Sequence, residues 1–383
     1  MYRHRYHIRW LVLVLTTGLI TCREPYAPPA ITTPHRFLVV DGFINTGPNT
    51  VTTFNLNRTR NLGDSTVRGI PELNAQFSII GSNGNVYPLK DAGTGAYSSG
   101  PLTLDATKEY HISITTTDGQ QYSSDQVPCE ATPPIDSVFW RQPFDLTIYV
   151  STHDPTDNTH YYRYDYNETW EHDSQLFAEY AVVNGRLYEA DSADQKNRCW
   201  TTDTSSNILL TSSAALTSDV IDSFAVLTIP NSDPRVDIAY SIIVRQYALT
   251  QGAYNYWQLI QKTTDNVGTL FDVQPTQLTG NIHCTSNPAE PVIGYLSACS
   301  VQQQRILTVE SGLHDWTHNQ PGFGCDTMSI PADTADPFIY TYANPNWAPY
   351  YFVTDAVLEL VSSVCVDCTL VGGTTTRPSF MPD

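Results

Sequence analysis

The stretch NAQFSIIGSNGNVYPL, residues 74–89, decides the fold class. Apolar and polar residues alternate from Ala75 to Ile79, and a second run begins at Val86. Between the runs stands Ser82-Asn83-Gly84-Asn85. Asn-Gly supplies the positive φ that a tight hairpin turn requires, and alternation at a period of two is the mark of a half-buried strand. The segment therefore reads as a β-hairpin. YHISITTTDGQQYSS (110–124) repeats the form, with Asp118-Gly119 as its turn. Working outward, RFLVVDGFI (36–44) is strand-like, NTGPN (45–49) is a turn, and TVTTFNLNRT (50–59) alternates again. Residues 37–130 show strands without a helical period, which predicts a small β-sandwich of Ig-like or transthyretin-like type.

CEATPP (129–134) reads as a linker, and residues 131–383 as a larger β-rich domain. DLTIYVST, FAVLTIP, AYSIIVRQYAL and RILTV are strand-like. In HYYRYDYNETW (160–170) the tyrosines Tyr162, Tyr164 and Tyr166 share one face, read as core, and Tyr161, Arg163 and Asp165 share the other. One segment differs. TQGAYNYWQLIQKTTDNVG places Tyr254, Trp257, Ile260 and Gln261 at helical spacing, with Thr250 as N-cap and Gly268 past the end. It predicts one amphipathic helix near 251–266, covering a sheet edge or end. The fold class is all-β: a small sandwich, then a larger sandwich carrying one helix.

The first 22 residues carry a different message. Arg3, Arg5 and Arg9 precede an apolar run from Trp10 to Ile20 that is shorter than the roughly 20 residues a spanning helix needs. This fits the h-region of a secretory signal over residues 1–21. Leu19-Ile20-Thr21-Cys22 resembles a bacterial lipobox, with Thr21 where Gly, Ala or Ser is usual. Cys22 is thus the expected lipidation site, and residues 22–36, with Pro25, Pro28 and Pro29, read as an extended tether.

Removing residues 1–21 takes three arginines and moves the formal charge from −19 to −22. Such a chain repels phosphate backbones, which argues against nucleic acid as a partner. Seven further cysteines follow Cys22, and an export signal implies a setting where disulfides form. CVDC (365–368) has no second CxxC to complete a zinc site and follows a strand-like run, so structural disulfides are expected of it.

The landmarks LVVDGFI (38–44), LNRT (56–59), PPIDSVFW (133–140), CW (199–200), YSIIVRQYALTQGAYNYWQLIQKTTDNVGTLFDVQPTQLTGNI (240–282), VIGYLSAC (292–299) and CVDCTLVGGTTTRPSF (365–380) resemble a group of Bacteroidota outer-membrane lipoproteins, domain of unknown function 4249. The resemblance implies a signal peptide, a lipid anchor at the cell surface and β-rich globular parts. It also implies a gene neighbour encoding a TonB-dependent transporter of the starch-utilisation type. It brings no catalytic residues.

No nucleophile elbow, zinc-protease helix, P-loop or dinucleotide fingerprint is present. His314 and His318 in HDWTH have i, i+4 spacing, but SGLHDWTHNQPGFG is loop-like, so a polar loop contacting Trp316 is preferred to a metal site. No cofactor is expected. YANPNWAPYYF (342–352) reads as an aromatic loop, and Trp347, Tyr350 and Tyr351 are candidate interface residues for a transporter, a glycan or a peptide. Ser65 and Thr334 follow Asp in polar loops and are candidate O-glycosylation sites. The expected function is non-catalytic: an accessory lipoprotein of an outer-membrane uptake system. The alternatives are a free-standing glycan- or peptide-binding lipoprotein and an extracellular hydrolase.

Overall fold

The computed structural model describes residues 36–60, 69–183, 186–191, 195–265, 280–309, 312–317, 324–331 and 346–382. Cys22, Ser65, Thr334, His318 and Gly268 lie outside the described residues. Strands dominate, as the alternating pattern requires, and among the described residues no helix is long and apolar enough to cross a membrane.

The predicted hairpin is present: Gln76–Gly81 pairs antiparallel with Val86–Asp91, and Gly84 sits at φ +83° in the turn. These strands belong to one curled sheet. Its order is Leu38–Gly42, Thr53–Arg58, Ala96–Ser98, Val86–Asp91, Gln76–Gly81, Tyr110–Thr115, Gln121–Ser124 and Ile282–Cys284, each antiparallel to its neighbour. Phe54, Leu56, Phe77, Ile79, Ile112 and Ile114 fill its concave side.

The boundary drawn at residue 130 needs correction. Residues 281–299, assigned by sequence to the second domain, complete the first. Ile282, Cys284, Val292, Leu296 and Ala298 are buried in the first core. Val40 donates its amide to the Ile293 carbonyl at 2.8 Å, and Ile293 donates to Leu38 at 2.9 Å. Two landmark motifs, 38–44 and 292–299, thus run side by side. Gly294, at φ +147°, lies so close to this strand that a Cβ there would come within 2.3 Å of the Val40 carbonyl. The 129–134 linker is also pinned. Cys129–Glu130 forms a parallel strand beside Ala298–Cys299, and the Thr132 amide bonds Ser300 Oγ at 3.0 Å.

The second body is a two-layer sandwich. One layer is Ile135–Arg141, Leu146–His153 and Val220–Ile229. The other is Arg198–Thr204, Tyr161–Asp173, Ala239–Ala248 and Val301–Val309, with Leu209–Ser212 also pairing the long Tyr161–Asp173 strand. Tyr162, Tyr164 and Tyr166 are buried against Ile148, Ile242 and Val244, so the alternation in 160–170 was core packing on that face. The helix spans Gln251–Asp265, and Thr250 Oγ1 caps it by accepting the Ala253 amide at 3.2 Å. It packs on the outer face of the larger layer through Tyr254 against Tyr161, with ring centroids 5.0 Å apart. Tyr256 reaches Tyr295 of the returning segment at 5.3 Å.

A third, small sheet orders Thr327–Pro331, Val357–Ser362 and Trp347–Thr354. The reading of 342–352 as a loop therefore fails over residues 347–352, which are strand; Pro349 sits there beside a bulge, where a missing N–H is tolerated. Two disulfides, Cys199–Cys368 and Cys325–Cys365, tie the C-terminal region to the sandwich and to this sheet. Structural use of CVDC is borne out.

Candidate functional site

The face of Tyr161–Asp173 opposite its core tyrosines carries Arg163 and Asp165. This face, the helix and the first body enclose a cleft of about 470 Å³, lined by Asp41, Phe43, Arg163, Asp165, Tyr247 and Trp257, with residues 205–208 at its edge. Each wall has a local cause. Gly42, at φ +144°, ends the first strand where a Cβ would meet the Phe54 ring at 2.6 Å, and the next residue, Phe43, sets its ring 5.1 Å from Tyr247, edge to face. The helical spacing brings Trp257 over Arg163, one turn after Tyr254 meets Tyr161. Gln261 holds the 205–208 edge by donating to the Ile208 carbonyl at 2.8 Å.

Charges inside the cleft are ordered. Arg245 Nε donates to Asp165 Oδ1 at 2.5 Å. Burial first, and the Asp165 carboxylate second, push the Tyr247 phenol well above its ordinary range, so it stays a neutral donor. Arg163 lies 4.6 Å from the Tyr247 ring centroid and 4.8 Å from that of Trp257. Rings on two bodies and a charged strand thus meet at one concave place, the usual setting of a ligand site.

A second cleft, about 200 Å³, lies beside the Cys199–Cys368 disulfide and is lined by Trp170, His172, Asp173, Asp237, Ile238 and Val371. Burial raises the Asp173 carboxyl and lowers the His172 imidazole. His172 Nε2 is already bonded to Thr201 Oγ1 at 2.9 Å, and the Asp237 carboxylate accepts from Trp316 Nε1 at 3.2 Å.

One cluster imitates a catalytic triad. His160, Ser213 and Asp219 are adjacent, with His160 Nδ1 3.4 Å from Ser213 Oγ. The Ser213 hydroxyl, however, donates to Asp219, which also accepts from Tyr162. The carboxylate therefore holds the serine rather than orienting the histidine, and Ser213 is buried. A triad needs the opposite order. Among the described residues no group of three or more His, Cys, Asp or Glu could hold a metal ion. Trp316 is buried against the second core, and His314 meets Gln142 through its backbone, as a polar loop around Trp316 would.

The aromatic candidates do not enter either cleft. Trp347 packs beside Ile330, Leu358 and Leu360, and Tyr350 beside Val361, Cys365 and Val366. Tyr351 stands edge-on to Tyr350 at 4.6 Å. Near them, Phe177, Tyr188 and Val353 are exposed. The cleft residues were visible in sequence only in part. Arg163 and Asp165 were placed on the non-core face and Trp257 on the helix, but no local signal joined them to Asp41 and Phe43.

Among solved structures, a Legionella pneumophila protein of the DUF4785 family is 10% identical, with 55% of this chain and 51% of that one covered and a TM-score of 0.19. The Yersinia pseudotuberculosis adhesin InvE is 12% identical, covering 56% of this chain and 55% of that one, at a TM-score of 0.15. The chain thus spans about half the length of either. No curated protein matches. Residues 23–305, from the start of the tether through the cleft-forming strands and helix, match the family described as domain of unknown function DUF4249, and the chain belongs to that family.

Proposed function

We propose that the protein is a non-catalytic lipoprotein of a Bacteroidota outer membrane, anchored through Cys22 at the cell surface, that captures a nutrient for a TonB-dependent transporter of the starch-utilisation type. The observation that carries the capture role is the cleft between the two β bodies, with ring faces and fixed charges on facing walls. The anchoring role is carried by the basic start, the short apolar run and Cys22. A diacylated or triacylated cysteine is a stable anchor, because two or more chains suffice. The tether of residues 22–36 reaches at most about 50 Å and confines the protein near a membrane partner, so a weak interface is occupied. Tyr351, with the exposed Phe177, Tyr188 and Val353 near it, is the proposed contact for the β-barrel.

The test is extraction in mild detergent followed by affinity capture. Co-purification of an outer-membrane β-barrel supports the reading. Its absence, with ligand binding retained, favours a free-standing glycan- or peptide-binding lipoprotein, to which the cleft is equally suited because one chain forms it entirely. Fatty-acid labelling that is the same for wild type and Cys22→Ser removes the anchor.

A further inference from the structure

Arg163 is held in the cleft in an unusual way. Two aromatic rings flank its guanidinium, at 4.6 Å for Tyr247 and 4.8 Å for Trp257. Ring faces attract a cation but leave its in-plane N–H donors unused. Among the described residues no hydrogen bond reaches this guanidinium, and its Nε is buried without an acceptor. The nearest carboxylate oxygen, Asp165 Oδ2, is 3.8 Å from the terminal nitrogen, beyond hydrogen-bond reach. Asp165 is committed instead to Arg245, at 2.5 Å. A half-buried guanidinium with unfilled donors is costly to leave so, and its fork geometry matches a carboxylate.

The balance of charge narrows the ligand. Asp165 bonds Arg245 closely and meets Arg163 only at a long ion-pair distance, so the described lining offers one cation without a hydrogen bond, Arg163, and one exposed carboxylate, Asp41. A dianionic phosphate carries one charge more than this single cation matches and would also face the Asp41 carboxylate. A monoanion that also carries donors meets one partner for each. The strongly negative net charge does not forbid this, because exposed charges beyond about 8 Å are largely screened at physiological salt.

We propose that the cleft binds a carboxylate-bearing ligand on the Arg163 guanidinium, with Asp41 accepting from the ligand's hydroxyl or ammonium donors and Phe43 and Trp257 packing on its body. The inference rests on the binding reading above. Two sources share this chemistry: an acidic oligosaccharide built of uronic acids, and the free C-terminus of a short peptide.

The experiment is calorimetry on the full-length protein in detergent with four probes. They are trigalacturonate, the equivalent neutral galactose trisaccharide, a tripeptide with a free C-terminus, and the same tripeptide as its C-terminal amide. At least one acidic probe should bind ten-fold or more tightly than its neutral partner. Arg163→Gln should abolish that difference, and Arg163→Lys, which keeps the charge without the fork, should restore part of it. Asp41 is exposed, so Asp41→Ala should fold normally; it should weaken the same probe several-fold, which keeps the test independent of Arg163's packing. Equal binding within each pair, no binding of either acidic probe, or full affinity in Arg163→Gln overturns the proposal. Binding of a neutral probe alone does so while leaving the capture role standing, and co-purification with a β-barrel is read separately from all four.

Discussion

Cys365 and Cys368 stand three positions apart in CVDC and are bonded not to each other but to Cys325 and Cys199, across 40 and 169 residues. The chain turns between them, so that Asp367 caps the following 3-10 turn by accepting the Thr369 amide at 3.0 Å, and each thiol meets a different segment: Cys368 the strand at Cys199, Cys365 the residue two before the Thr327–Pro331 strand. A pair bonded to each other would close a short ring and hold nothing else. Bonded outward, the two cysteines staple the C-terminal segment to the large sandwich and to the small sheet. Peptide mapping without reductant should therefore recover 199–368 and 325–365 linked peptides. Replacing both Cys199 and Cys368 with Ala should cost about 2–5 kcal/mol in denaturant unfolding, the range for native disulfides. A cost near zero would show that the tail is held by other contacts.

Two of the remaining described thiols, Cys129 and Cys299, should be silent. Cys299 is fully buried, and burial first of all pushes its thiol up to about 12; burial likewise raises Cys129 to about 11. Thiolate is the reactive form. Native protein at pH 8 should leave Cys299 unmodified by iodoacetamide over the time that unfolded protein is fully alkylated. Rapid native labelling of Cys299 by mass spectrometry would contradict its place in the parallel 44–45/129–130/298–299 sheet.

The Trp347 and Tyr350 side chains pack into two small cores, so Trp347→Ala should lower stability by about 2 kcal/mol, less than for a wholly buried ring. Tyr351→Ala should change stability by less than about 0.5 kcal/mol and reduce β-barrel co-purification. If Tyr351→Ala retains wild-type co-purification, the contact is not on this strand.

Arg235 Nη1 donates to buried Glu168 at 2.6 Å, and the Tyr240 hydroxyl donates to the other oxygen of Glu168 at 2.8 Å. Removing the arginine strands a buried carboxylate. Arg235→Met should cost about 3–5 kcal/mol, whereas Tyr240→Phe, which leaves the ion pair, should cost about 1–2 kcal/mol. Similar costs for the two variants would show that Glu168 is solvated.

Stability should fall in acid through the turn at Asp154. Burial alone would raise this carboxyl, but bonds from the Thr156 hydroxyl and amide and from the Asn158 and Thr159 amides outweigh it and hold it at about 2. A depressed carboxyl contributes stability that is complete above its unfolded value near 4 and is lost as pH falls toward 2. The site is partly exposed, so the contribution is about 1 kcal/mol after screening. Asp154→Asn should flatten the stability profile between pH 4 and 2 by that amount. An unchanged slope would move the acid sensitivity elsewhere.

The local elements are legible in the order of the residues alone. Alternation around Asn83-Gly84 and Asp118-Gly119 specified hairpins, because a period of two and a positive-φ turn are properties of a few adjacent residues. Thr250 and the spacing of Tyr254 and Trp257 specified the helix and its cap for the same reason. Alternation even separated Tyr162, Tyr164 and Tyr166 from Arg163 and Asp165, which put the cleft's cation on the correct face. Contacts between distant segments come from packing, which no local pattern encodes. That residues 281–299 leave the second body to line the first core has no local signal, since parallel pairing of 38–45 with 293–299 is made of backbone hydrogen bonds that any sequence can offer. The choice of Cys199 and Cys325 by two neighbouring thiols depends on where strands lie, not on spacing. The cleft is the clearest case. Asp41 and Phe43 come from the first strand, Arg163 from the middle of the chain and Trp257 from the helix, and only the packing of the two bodies brings these residues around one volume.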